Sequence, residues 1–323
     1  MNKFKTKITK TITRVTETIN LIFKTKLNES IFRFIKIIAQ LQINSLYLRL
    51  MRIDKPIPCL LLMMPIWWLL ILEYNGQFLK SLTYFMILTL GGVVMRSAGC
   101  IINDILDRKF DAKIERTKKR ILANNDLTLQ QSIIALGILL CVAFGLMLTL
   151  PTAAIKFCFF IPVMVLIYPL SKRFIVVPQF VLGLTYNLGI WVAYLTIQST
   201  NDFYTPGLIY IAAVFWTFGY DTMYAYQDIE DDKKLGLYSS AIYFGDKLPE
   251  SVWNLYKASC ICIGLIGLMH QLSLLFFGFL AIAAYSLYIQ TERFNKAKPE
   301  IAAENFNYNI IFGLLITVGF LIG

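Results

Sequence analysis

Residues 103–111, Asn-Asp-Ile-Leu-Asp-Arg-Lys-Phe-Asp, place an amide and three carboxylates where they could bind a cation. On an α-helix Asn103, Asp107 and Asp111 recur every fourth residue and stack along one face. Carboxylates packed this densely repel one another, and burying them unpaired is costly, so a cation is their natural partner. Magnesium holding a diphosphate fits, because it keeps several waters and shares few protein carboxylates with phosphate oxygens. A second cluster follows at residues 221–234, where Asp221, Tyr224, Asp228 and Asp232 again fall on one helical face. One acidic face alone could be a solvated loop. Two, each followed by Lys or Arg, are far more specific.

The elements that must position these residues are membrane helices. The chain has 323 residues, 57% hydrophobic and 16% charged, whereas soluble proteins run at about 45–50% apolar. Charge-free runs at 127–155, 174–201, 203–220, 258–291 and 305–323 are long enough to span a bilayer. Shorter ones at 56–72, 81–95 and 157–171 need their flanks to be counted. The run at 258–291 is too long for one helix, and His270-Gln271 reads as a turn within it, which gives nine spans. Alternating them puts the amino terminus and every basic loop on one face. All of the 31 Lys and Arg except Lys80, Arg96 and Lys156 fall there, as expected of a cytoplasmic face. This face accounts for the net charge of +11 without nucleic acid. Both acidic clusters then sit at the cytoplasmic end of an even-numbered span, which suggests two related helical halves across a cavity.

Arg96 lies seven residues before Asn103, about two turns away on the same face, so it reads as a cation lining a polar cavity above the carboxylates. The six cysteines sit in or beside apolar runs at no metal-ligand spacing. The single histidine, His270, falls at an outer turn, which excludes a histidine-based metal site. Residues 1–44 form a basic extension, interfacial over 31–38 or disordered, ahead of a transmembrane domain at 45–323. It has no secretory-signal core, and its bias to lysine points to a bacterial inner membrane, with the mitochondrial inner membrane as the alternative.

Walls of Leu, Ile, Phe and Met beside a diphosphate site suit a polyprenyl diphosphate. Ionisation of an allylic diphosphate gives a carbocation that must be shielded from water. The faces of Tyr224 and Tyr226 could stabilise it.

These motifs resemble the UbiA superfamily of intramembrane prenyltransferases, from about Leu50 to the end. Asn103-Asp104-x-x-Asp107-x-x-x-Asp111 with Glu115-Arg116-Thr117, and Asp221-Thr222-x-Tyr224-Ala225-x-Gln227-Asp228-x-x-Asp231-Asp232, are similar to its 4-hydroxybenzoate polyprenyltransferase branch. So are Arg52-x-Asp54-Lys55-Pro56 and Pro178-Gln179-x-x-Leu182-Gly183. The resemblance implies an all-α fold of nine transmembrane helices around a central cavity. It implies magnesium-dependent transfer of a prenyl chain to 4-hydroxybenzoate in ubiquinone synthesis, a bilayer setting, and association with other quinone-pathway enzymes. Asn103, Asp104, Asp107, Asp111, Asp228 and Asp232 would hold the magnesium diphosphate. Arg116, Arg120 and Lys233 would touch phosphate, and Lys172, Arg173 or Arg52 would receive the acceptor carboxylate. Asp221 would orient the acceptor phenol. Where the branch usually has Pro and a small-residue turn after Arg120, this chain has Ile121-Leu122-Ala123-Asn124-Asn125. Asparagine tolerates the left-handed backbone that such a turn needs. Another acceptor, such as a different quinone precursor, haem or a glycerol lipid, is the alternative within the family, and a membrane transporter is the alternative outside it.

Overall fold

Apolar runs broken by proline, glycine and charged residues leave the backbone one way to satisfy its polar groups in lipid, which is to coil into helices. The computed structural model describes residues 46–323 apart from residue 75 and residues 114–116, 198–201 and 295–298. The basic extension 1–44, with its expected interfacial helix at 31–38, lies outside the described residues. Among those described there are helices and no strand. In chain order they are α1 (Leu46–Leu50), α2 (Pro56–Leu72), α3 (Phe78–Asp111), α4 (Leu129–Met147), α5 (Thr152–Cys158), α6 (Ile161–Ser171) and α7 (Pro178–Tyr186). Then come α8 (Gly189–Ile197), α9 (Tyr204–Ala225), α10 (Ile229–Leu235), α11 (Ser240–Phe244), α12 (Leu248–Met269), α13 (Leu274–Phe294) and α14 (Pro299–Ile322).

Seven helical stretches among the described residues are long and apolar enough to cross a membrane. They are α3, α4, α5 with α6, α7 with α8, α11 through α12, α13, and α14. The expectation of nine spans also counted α2 and α9, which are not among the seven. The first is a shorter apolar helix of 17 residues. The second carries Tyr204, Thr205, Tyr210, Trp216, Thr217 and Tyr220. The long run at 258–291 does divide at His270-Gln271. There Gln271 takes φ 52°, and α13 begins at Leu274.

The core gathers around Trp68 of α2, Trp216 of α9 and Phe312 of α14. The two indoles stack at 5.6 Å between ring centroids, and Phe312 lies 4.9 Å from Trp216. A buried indole N–H needs a partner. Trp68 Nε1 donates to Thr317 Oγ1 at 2.8 Å, and Trp216 Nε1 donates to Asn309 Oδ1 at 2.7 Å. Helix α9 packs against α12, α7 and α14, while α3 packs against α4 and α2. Helix α2 contacts both acid-bearing helices, α3 and α9.

Candidate active site

Helix α3 has 34 residues, hence a length of about 51 Å at 1.5 Å per residue. That exceeds a hydrocarbon core of about 30 Å, so the helix carries Asn103 to Asp111 beyond the apolar layer without losing its register. The second cluster is built differently. Helix α9 ends at Ala225, a 3-10 turn covers Tyr226–Asp228, and α10 restarts the α geometry.

Two adjoining cavities result. The larger, of about 840 Å³, is lined by Met63, Leu88, Val192 and other apolar side chains. Its polar lining includes Arg52, Arg96, Asn103, Asp104, Arg120, Lys172, Asp221, Tyr224 and Asp228. The smaller, of about 50 Å³, is bounded by Asn103, Asp107, Asp111, Arg120, Lys172, Arg173, Asp228 and Asp232. Pro169 and four polar side chains, Asn103, Arg120, Lys172 and Asp228, line both. An anionic head in the small chamber and an apolar group in the large one would therefore share those four side chains.

The candidates differ in their surroundings. Asp104 is 3% exposed and is held by two guanidinium groups, Arg52 Nη2 at 2.5 Å and Arg120 Nη1 at 3.4 Å. Burial opposes the charge on Arg52, and the field of Asp104 with its hydrogen bond more than restores it, leaving the guanidinium pKa above its ordinary value. Arg120 also binds Asp111 Oδ2 at 2.7 Å. Arg173 stacks its guanidinium 5.3 Å from the Phe110 ring and lines only the small chamber.

Tyr224 lines the large cavity, its ring 4.8 Å from that of Phe306. Tyr226 lines neither cavity and packs on Phe294 at 5.0 Å. Two residues turn a helix about half-way round, so the pair cannot share a face. Lys233, next to the buried Asp232, is exposed and lines neither cavity. Arg116 lies outside the described residues.

Sequence reasoning passed over some lining residues. Tyr168 lies in the large cavity, as does Tyr186, whose hydroxyl donates to the Pro58 carbonyl. Asp54 is there too, with Oδ1 buried and lacking a hydrogen-bond partner. Its Arg-x-Asp-Lys-Pro setting was the available signal. The expected left-handed turn falls at Asn125, with φ 60°, and Arg108 Nη2 reaches its Oδ1 at 2.8 Å.

The donors around the small chamber are carboxylate and amide oxygens, the chemistry a hard divalent cation prefers. Among the described residues no three His, Cys, Asp or Glu converge into a metal cage of their own. Magnesium needs no such cage, because its remaining positions go to water and phosphate oxygens. The residues present fit the ion.

A membrane-embedded helical bundle with acidic clusters and cations beside a deep apolar cavity defines an intramembrane enzyme for amphiphilic anions. The chain belongs to the UbiA prenyltransferase family, whose model matches residues 62–315. It is 37% identical over 270 residues to the mitochondrial 4-hydroxybenzoate polyprenyltransferase of Dictyostelium discoideum, an alignment covering 83% of this chain and 58% of that one. It is 34% identical over 273 residues to the 4-hydroxybenzoate octaprenyltransferase of Idiomarina loihiensis, covering 84% and 95%. Among solved structures it is similar to an apo UbiA homolog from Aeropyrum pernix K1, with a TM-score of 0.69 and 21% identity over 81% of this chain and 97% of that one. A UbiA homolog from Archaeoglobus fulgidus bound to GPP and Mg2+ gives a TM-score of 0.63 and 18% identity over 86% and 99%. These two likenesses show the shared fold.

Proposed function

We propose that this chain transfers a polyprenyl group from its diphosphate to the carbon ortho to the phenol of 4-hydroxybenzoate, releasing diphosphate, in ubiquinone synthesis. The observation that carries the reading is the sharing of Asn103, Lys172 and Asp228 by a small polar chamber and a large apolar one. The relatives named for this acceptor, similar over more than four-fifths of the chain, support it.

Asn103, Asp107, Asp111, Asp228 and Asp232 would hold magnesium, which when bound supplies positive charge to the departing diphosphate. Lys172, Arg120 and Arg173 add fixed cations around the same chamber, preorganised for the charge that develops as the prenyl carbon–oxygen bond breaks. That bond's electron pair leaves with diphosphate. The allylic cation is then flanked by the rings of Tyr224 and Phe306 and by apolar walls that exclude water. The aromatic ring supplies the electron pair for the new carbon–carbon bond, and the proton on the attacked carbon passes to the released diphosphate, restoring aromaticity. Asp221, in the large cavity, orients the phenol and draws on its proton.

The acceptor carboxylate goes to a cation of the large cavity. Lys172 and Arg52 both line it, and Arg52 is held in place by Asp104. Arg96 is a further cation in that wall.

The test is an acceptor panel. Membranes bearing the chain receive a polyprenyl diphosphate with 4-hydroxybenzoate, a hydroxynaphthoate, haem or a glycerol phosphate, and products are identified by mass. The expected product is 3-polyprenyl-4-hydroxybenzoate alone. Transfer to another acceptor in its place would keep the mechanism and overturn the acceptor.

A further inference from the structure

The stretch Pro178-Gln179-x-x-Leu182-Gly183 carries nothing that reacts with a diphosphate or an aromatic ring, yet its residues have defined places. Pro178 occupies the first turn of α7, where a missing N–H costs nothing. Gly183 faces α9, and a Cβ there would sit 2.9 Å from the Val214 carbonyl oxygen. Leu182 lines the large cavity. Gln179, which lines it too, is 4% exposed, and its Oε1 accepts two hydrogen bonds from one residue. They come from the backbone N–H of Ser240 at 2.8 Å and its hydroxyl at 2.6 Å. The hydroxyl proton of Ser240 being used there, Thr222 Oγ1 donates to Ser240 Oγ across 2.8 Å. Thr222 is the neighbour of Asp221 on α9.

The chain after the second acidic cluster completes the link. Gly236, at φ 66°, ends α10 in the left-handed conformation, and the Leu237 N–H returns to the Asp232 carbonyl at 2.9 Å. The next residue, Tyr238, donates its N–H to the Lys172 carbonyl at 2.8 Å. From Asp232 the backbone therefore turns back and is fastened first to Lys172 and then, through Ser240, to Gln179.

We propose that Gln179 is a positioning residue which, through Ser240 and Thr222, holds the second acidic cluster in register with Lys172 and with the carboxylates of α3. The proposal rests on the prenyl-transfer reading of the site. Gln179 touches no reacting atom in this role. Replacing it by leucine leaves the Ser240 N–H as a buried donor without its acceptor and the Ser240 hydroxyl with Thr222 alone, and the segment carrying Asp228 and Asp232 then relaxes to satisfy the N–H.

The experiment uses the purified full chain in detergent, with inorganic pyrophosphate and magnesium titrated by calorimetry and prenyl transfer measured alongside. Gln179→Leu is expected to weaken magnesium pyrophosphate binding about tenfold, the scale of one buried donor left unsatisfied, with a matching fall in kcat/KM. Gln179→Glu keeps an acceptor oxygen at the same reach and is expected to recover most of both. Ser240→Ala removes the hydroxyl and the Thr222 link but keeps the N–H bond, and is expected to fall between them. If Gln179→Leu does not fold, Ser240→Ala against Gln179→Glu decides the matter. Folded variants that bind pyrophosphate as the wild type does overturn the proposal, as does a Gln179→Glu chain as impaired as a folded Gln179→Leu. A wild type that neither binds pyrophosphate nor transfers a prenyl group overturns the prenyl-transfer reading, and the proposal with it.

Discussion

Asp104 and Asp107 are three residues apart on one helix, and the structure gives them opposite surroundings. Asp104 is enclosed by Arg52 and Arg120, while Asp107 borders the small chamber with Asp228 and Asp232 across from it. Their substitutions should therefore fail in different ways. Asp107→Ala and Asp228→Ala are expected to lower kcat by about a hundred- to a thousandfold, the scale of removing a preorganised electrostatic group. Both should leave the thermal midpoint of the purified protein within a few degrees of wild type. Asp104→Ala leaves the partly buried Arg52 guanidinium without its carboxylate, while Arg120 keeps Asp111, and is expected to destabilise the fold by about 3 kcal/mol, read as a lower midpoint before any assay. The sequence did not distinguish these carboxylates, because spacing reports which residues share a face but not which cations fold against them. Arg52 reaches Asp104 from 52 positions away. Tyr226 and Lys233 line neither cavity for a related reason. Each is one or two residues from a lining side chain, which is enough to turn it onto another face.

At the scale of the element, the site depends on α3 continuing unbroken from lipid to aqueous edge. Leu106→Pro removes an internal backbone hydrogen bond and turns the helix between Asn103 and Asp107, at a cost of about 3 kcal/mol. It is expected to abolish magnesium-dependent transfer, whereas Leu106→Ala, at a side chain 38% exposed, should change little. The close approach of α7 to α9 makes a second case. Gly183→Ala forces a Cβ against the Val214 carbonyl oxygen and is expected to lower stability by about 1–3 kcal/mol, measured by thermal denaturation in detergent. Helical continuity through residues 103–111 was legible in the sequence, since acids at four-residue spacing only make one face if the helix runs on. The 3-10 turn at Tyr226–Asp228 was not, since no proline or glycine marks it. It still leaves Asp221, Tyr224 and Asp228 on the large cavity, because a single tight turn displaces the following residues without reversing them.

For the whole molecule, alternating spans and the gathering of Lys and Arg on one face describe a protein of defined orientation. A cysteine at Tyr243 and one at Leu274, which are 63% and 89% exposed, should react with an impermeant thiol reagent from opposite sides of sealed vesicles in a cysteine-free background. Labelling of both from one side would contradict the topology. The membrane class and the pairing of acidic clusters were readable from composition and spacing. A cavity between them was expected on the same grounds, but its two chambers and their shared lining were not legible, because they are made by residues from most of the helices. The large chamber and the small one make a single claim together, that a prenyl diphosphate is ionised where the two meet and its chain passed to 4-hydroxybenzoate. The most direct measurement is transfer of a labelled polyprenyl group to 4-hydroxybenzoate by the purified chain, first with a chelator and then with magnesium restored. Prenylated 4-hydroxybenzoate that appears only with magnesium, with diphosphate released in equal amount, is the expected result. Folded protein that makes no such product under either condition, or makes it as fast with the chelator present, would contradict the account.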